Sequence, residues 1–198
     1  MTVFHLLRHG ERASQQVLIG RLPGIPLTER GRAEIASVAE RLAGEQIAAI
    51  YSSPLQRTRE TAEIVAERLG LPVAICEDLT ELDFGEWTGS TFDQIRGDPR
   101  WRPWSTHRSL ARIPGGESMR EVQRRSVEAL FEIGERHPED TVVLVSHGDV
   151  IRAMLVFALG MPLDFYGRIE VVQGSISTIR IDVSGVRVLA VNERPRLG

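Results

Sequence analysis

Two short apolar runs that each end in a His-Gly pair constrain this chain more than any other feature. Val3 to Leu7 runs into Arg8-His9-Gly10, and Thr141 to Val145 runs into Ser146-His147-Gly148. A short continuous apolar run bounded by polar residues reads as a strand covered on both faces, the kind found in parallel sheets flanked by helices. Open α/β sheets place their chemistry at the carboxyl ends of such strands. Two histidines projected from neighbouring strand ends toward one crevice therefore form a candidate site.

The rest of the chain fits strands alternating with helices. A Gly/Pro-punctuated loop, Gly20 to Pro26, leads to Thr28, a plausible N-cap for a helix with Ile35, Val38, Ala39 and Leu42 on one face. Ile47 to Tyr51 predicts a second strand, Leu55 to Leu69 a helix with Arg57 in its first turn, and Leu71 to Cys76 a third strand. The loop 77–89 contains Glu81, Asp83 and Glu86. Residues 90–116 show no clean period and read as an irregular, lid-like excursion. Glu117 to Arg136 predicts an amphipathic helix with Val122, Arg125, Ala129, Phe131 and Ile133 on its mixed apolar face, and another helix follows His147 to about Leu159. Ser175 to Val183 and Val186 to Val191, parted by Ser184-Gly185, predict a terminal antiparallel hairpin. The expected fold is a three-layer α/β/α sandwich on a mainly parallel sheet with one antiparallel element. With 198 residues, 42% of them hydrophobic, a single domain over 1–198 is expected.

All 24 cationic side chains are arginine, a chain-wide bias that identifies no site by itself. The net charge of -3 and the absence of an Arg block longer than two argue against nucleic acid as a partner. No apolar stretch reaches the length of a membrane helix, and Met1 to Leu7 reads as strand, not as a signal segment. The single cysteine, Cys76, lies in an apolar run and suggests a buried thiol in a reducing compartment, so a cytoplasmic protein is expected.

Phosphoryl transfer needs dense positive charge around the moving group, a nucleophile and a leaving-group acid. Arg8, Arg57 and His147 supply the charge, each at a strand end or in a helix first turn where backbone N–H groups also favour anions. A neutral imidazole on His9 can attack phosphorus, and nearby arginines disfavour its protonated form. Glu81 is the candidate acid, with Asp83 and Glu86 as competitors in the same loop.

The chain resembles the histidine phosphatase superfamily, the phosphoglycerate mutase-like enzymes. The resemblance is carried by Leu7-Arg8-His9-Gly10-Glu11, by Pro26-Leu27-Thr28-Glu29-Arg30-Gly31, by the stretch from Ser52 to Ala62 around Arg57, by Glu81-Leu82-Asp83-Phe84-Gly85-Glu86-Trp87-Thr88-Gly89, and by Ser146-His147-Gly148. It implies His9 as the phosphorylated nucleophile, Arg8, Arg57 and His147 as the phosphate pocket, and Glu81 as proton donor. Gly20, Gly148 and Gln15 are further candidate substrate contacts. The chain departs from the family where Thr often follows the signature Glu and Asn comes a few residues later: here stand Arg12 and, nearest in place, Gln15, with Ser14 as the other candidate.

The expected function is metal-independent hydrolysis of a small phosphomonoester, with no cofactor and a small phosphorylated metabolite as partner. Within that resemblance, shortness, the absence of lysine, and the stretch Pro114-Gly115-Gly116-Glu117-Ser118, which looks like the segment opening a helix in phosphatase-type members where an acidic residue would repel a second anionic group, favour hydrolysis over mutase activity. Cofactor-dependent phosphoglycerate mutase activity and a non-catalytic phospho-ligand binding module are the alternatives. The five histidines lack paired metal-ligand spacing, which disfavours a metal-dependent hydrolase. Trp87, Trp101 and Trp104 suit either lid packing or an apolar wall, and Arg96, Arg100, Arg102, Arg108 and Arg112 either a solvated face or a reader of a second anion. The oligomeric state is open, with a homodimer as the candidate assembly.

Overall fold

A computed structural model describes residues 1–13 and 17–194. Strands β1 (Thr2–Arg8), β2 (Ile47–Ser52), β3 (Val73–Ile75), β4 (Thr141–Ser146), β5 (Ile176–Asp182) and β6 (Gly185–Glu193) form one sheet in the order β3-β2-β4-β1-β5-β6. β3, β2, β4 and β1 run parallel, and β5 is antiparallel to both β1 and β6. The architecture is the α/β sandwich expected, with the hairpin as its antiparallel element.

Both faces of the central strands are apolar, and the alternation along each strand assigns its side chains to two cores. Leu7, Val143 and Val145 pack against Ile35, Val38 and Leu42 of α1 (Glu29–Leu42) and Ala62 and Val65 of α2 (Gln56–Leu69). Phe4, Leu6, Val142 and Leu144 face the other core, with Val122, Leu130 and Ile133 of α5 (Met119–Arg136) and Ile151 and Leu155 of α6 (Gly148–Ala158). The chain thus leaves β1 toward one face and β4 toward the other. Because β1 and β4 are neighbours, a crevice opens between their carboxyl ends, the topological switch point of an open α/β sheet.

Local chemistry sets the helix starts. Thr28 Oγ1 accepts the Gly31 N–H at 3.0 Å, and Ser118 with Glu121 closes a capping box that begins α5 two residues later than the apolar pattern predicts. Gly31 allows the loop after β1 to lie on α1, since a Cβ there would fall 2.2 Å from the Glu11 carbonyl oxygen.

Four expectations need correction. β3 covers only Val73–Ile75 because it is the sheet edge, where Ala74 and Ile75 are exposed, and Cys76 is half-buried instead of buried. Phe131 lies 40% exposed on the outer surface of α5, stacked edge-on against Phe157, and does not join the core. Residues 90–116 contain two short helices, α3 (Phe92–Arg96) and α4 (Trp101–Thr106), whose lengths are below what a periodicity reading detects. They bring Trp101 and Trp104 onto Trp87, with ring centroids between 5.0 and 5.6 Å apart.

Candidate active site

Strand register places the two histidines side by side. Arg8 pairs with Ser146 across β1 and β4, so the next residue on each strand, His9 and His147, leaves the sheet at the same level. Their rings meet edge-on with centroids 5.3 Å apart, and both are buried. His9 lines a cavity of about 570 Å³, within the range of small-molecule sites, together with Arg8, Arg57, Glu81, Gly20 and Gly148, and His147 is fully buried beside His9.

His9 Nδ1 lies 2.8 Å from the Gly10 carbonyl oxygen, which can only accept, so Nδ1 carries the proton and Nε2 the free lone pair. Burial, then the charges of Arg8 and Arg57, hold the His9 pKa well below the ordinary imidazole value despite that hydrogen bond. The ring is therefore neutral near pH 7. His147 is oriented from the other side. Ser53 Oγ, which accepts weakly from the Leu55 N–H, lies 2.8 Å from His147 Nε2 and donates to it. The ring proton is thereby assigned to Nδ1, which has no hydrogen-bond partner among the described residues and sits 3.8 Å from Glu81 Oε2. Burial, followed by the Arg57 charge, lowers the His147 pKa as well.

Each arginine is anchored by one nitrogen. Arg8 Nη1 donates to the Val171 carbonyl at 2.7 Å, and Arg57 Nη2 donates to the Gly20 carbonyl at 2.8 Å. Nε of both is buried without a partner. Burial lowers the Arg57 pKa to about 10, which still leaves it charged at neutral pH. Buried Arg57 and half-buried Arg8, each with a buried unsatisfied donor, favour an anion, because an unpaired charge shielded from water is unfavourable. Gly148 opens α6 and lets Arg8 lie across the helix start, since a Cβ there would come 3.1 Å from Arg8 Cζ. The N-terminus of α6 adds its own positive end to the site.

Of the three candidate carboxylates in the loop after β3, Glu81 alone lines the cavity. Glu86 pairs with Arg100 on the surface, and Asp83 Oδ1 accepts the Gly85 N–H. Burial, and then the nearby Asp149, push the Glu81 carboxyl up to about 7, while Arg57 and the Leu82 N–H pull it down. It is positioned by backbone contacts: Arg21 Nε donates to its carbonyl at 2.8 Å, and Arg125 Nη2 does so at 3.3 Å. Both arginines are held by Glu117, which also accepts the Asp83 N–H at 3.1 Å. Glu117 therefore braces the acid loop from behind and does not face the cavity as the sequence suggested. Gly116 makes that brace close, for a Cβ there would lie 2.3 Å from the Asp83 carbonyl oxygen.

Gly20 meets the cavity through its backbone, its carbonyl oriented on Arg57. Gln15, with Ser14, lies outside the described residues. Among the described residues no group of three or more His, Cys, Asp or Glu side chains is arranged to hold a metal ion, and no helix is long and apolar enough to cross a membrane.

Residues 4–194 match the sequence profile of the histidine phosphatase superfamily, branch 1. The chain belongs to the histidine phosphatase superfamily. It is 33% identical to phosphoserine phosphatase 1 of Hydrogenobacter thermophilus over 198 residues, 98% of this chain and 93% of the relative. A protein named probable phosphoglycerate mutase GpmB, from Salmonella choleraesuis, is 34% identical over 90% of this chain and 85% of its own. Among solved structures, a phosphoserine phosphatase mutant of Entamoeba histolytica in complex with phosphoserine superposes with a TM-score of 0.90 at 26% identity, with all of both chains covered. As a histidine phosphatase this protein is a phosphate-monoester hydrolase.

Several groups in the histidine phosphatase site are invisible to motif reading. Ser53 lies inside a matched block without a role attached to it. Asp149, Arg152 and Tyr166 form a chain on the cavity wall in which Tyr166 Oη donates to Asp149 Oδ1 and Arg152 Nη1 lies 3.4 Å from the same oxygen. The i,i+3 spacing of Asp149 and Arg152 on α6 was available from sequence; Tyr166, in a 3-10 turn over Leu163–Arg168, was not. Of the arginine cluster 96–112, Arg96, Arg100 and Arg112 pair with Asp93, Asp98 and Glu121, and only Arg108 reaches the cavity.

Proposed function

We propose that the protein hydrolyses a small phosphomonoester in two steps through a phosphohistidine on His9, without a metal or organic cofactor. The observation that carries this reading is the His9 tautomer: Nδ1 is committed to the Gly10 carbonyl, so Nε2 is the lone pair available to phosphorus. In the first step Nε2 attacks phosphorus, the P–O ester bond breaks, and the leaving oxygen takes the proton of the Glu81 carboxyl. In the second, the Glu81 carboxylate accepts a proton from water as its oxygen attacks phosphorus, the P–N bond breaks, and inorganic phosphate leaves.

Arg8, Arg57 and His147 Nδ1–H hold the non-bridging oxygens and balance the charge that spreads over them. Glu81, raised to about 7, is divided between acid and base forms near neutrality, as a group that donates in one step and accepts in the next requires. The chain's likeness to phosphoserine phosphatases supports a small metabolite as substrate. We place the protein in the cytoplasm, where its one cysteine stays a thiol.

The test is p-nitrophenyl phosphate turnover in chelator, with neutral quenching and mass analysis of the His9 peptide. Release of inorganic phosphate with a transient phosphoryl group on His9, and neither product from His9→Ala, is expected. Turnover retained in His9→Ala refutes the mechanism. Interconversion of 3-phosphoglycerate and 2-phosphoglycerate without phosphate release assigns mutase activity in its place.

A further inference from the structure

We propose that Arg108 reads a carboxylate on the substrate, so that the preferred phosphomonoester carries its phosphate and a carboxylate on one short carbon skeleton. The inference rests on the phosphatase reading and adds to it the second charged group of the substrate.

Arg108 follows α4 and lines the same cavity as His9 and Arg57. Its guanidinium carbon lies over two aromatic rings, 3.6 Å from the centroid of Trp104 and 4.6 Å from that of Tyr166. Contact with the two rings restricts the group and removes part of its hydration. Nε and Nη1 are buried and, among the described residues, have no hydrogen-bond partner, and no carboxylate there pairs with Arg108. Arg152 on the same wall is balanced by Asp149, and Arg30 by Glu11 and Glu34, while the partnerless Nε atoms of Arg8 and Arg57 belong to the phosphate end. A partly desolvated, restricted and unbalanced cation on a cavity wall is stabilised by an anion brought in with the ligand.

The charge balance selects the anion. Arg8, Arg57 and the start of α6 already answer a phosphate at the His9 end. Arg108 adds a single positive charge, beside a wall that also holds Asp149. A carboxylate matches that one charge, and its two oxygens can accept from two nitrogens of one guanidinium. The cavity of about 570 Å³ holds a short phosphorylated acid with room left over.

The test measures kcat/KM on two matched pairs: O-phosphoserine against O-phosphoethanolamine, which differ by the carboxylate, and 3-phosphoglycerate against glycerol 3-phosphate, in which a hydroxymethyl group replaces it. The native enzyme is expected to favour the carboxylate member of at least one pair. Arg108→Gln should lower that selectivity ratio roughly 10- to 100-fold, as for loss of a hydrogen bond to a charged group, and Arg108→Lys should restore part of it. A native enzyme without carboxylate preference, or a ratio that Arg108→Gln leaves within about twofold, overturns the inference while p-nitrophenyl phosphate hydrolysis leaves the phosphatase reading standing. Failure of every ester, the aryl phosphate included, refutes the phosphatase reading and this inference with it.

Discussion

Replacing Glu81 by Gln should make the enzyme more stable at alkaline pH while removing most of its activity on alkyl phosphates. The side chain is only 13% exposed, and Gln keeps its shape and the oxygen that accepts the Leu82 N–H at 2.9 Å. What changes is the ionisation. Burial and Asp149 raise the carboxyl from its ordinary 4.5 to about 7, so the folded protein retains a proton that the unfolded chain releases at lower pH. The unfolded state then binds fewer protons between about pH 4.5 and 7, and stability falls as pH rises through that window. At about 1.4 kcal/mol per pH unit, the loss between pH 5 and pH 8 is about 2.5 kcal/mol, and the glutamine variant lacks it. For a chain of this size that difference corresponds to roughly 5–10 °C in midpoint temperature. Thermal and urea unfolding of both proteins at pH 5 and pH 8 reads it directly. The same substitution should cost about 10²- to 10⁴-fold in phosphoenzyme formation from an alkyl phosphate and less from p-nitrophenyl phosphate, whose leaving oxygen needs no proton. It should also abolish the alkaline limb near pH 7 in kcat/KM. An equal pH dependence of stability in the two proteins, or an alkaline limb that survives in the variant, refutes the assignment of the raised carboxyl to Glu81.

Arg57→Lys should lower kcat/KM at least about 100-fold in steady-state assays, because an ammonium cannot both hold the Gly20 carbonyl and present a planar pair of donors; activity within a factor of a few argues against Arg57 as a phosphate ligand. Ser53→Ala releases His147 Nε2 and with it the tautomer that puts a proton on Nδ1; kcat should fall about 10- to 100-fold at unchanged fold, by the usual cost of removing an orienting partner, and vanadate affinity should fall in parallel. Glu117→Gln breaks the bridge from Arg21 and Arg125 to the acid loop; kcat on alkyl phosphates should drop more than kcat on p-nitrophenyl phosphate, and equal losses on the two would show that Glu117 supports the fold alone.

The sequence by itself determined the frame and the chemical core of the site. Apolar runs in β1, interrupted only by His5, and in β4 point to a sheet covered on both faces, and Thr28 and Ser118 mark helix starts through local hydrogen bonds that any nearby sequence window contains. His9, Arg8, Arg57 and His147 were legible because each stands where an apolar period breaks at a strand end or helix start. Glu81 was legible only as one of three carboxylates, because burial separates it from Asp83 and Glu86 and burial depends on the whole chain. The tertiary structure alone decided that Glu117 braces the acid loop instead of facing the substrate, since its partners Arg21 and Asp83 come from other parts of the chain. It also decided which member of the arginine cluster 96–112 enters the cavity: Arg96, Arg100 and Arg112 find carboxylates close in sequence or across a turn, and Arg108 instead lies over Trp104 and Tyr166. Those contacts join residues far apart in the chain, and their energies come from desolvation and charge balance, which exist only once the cavity has closed around them.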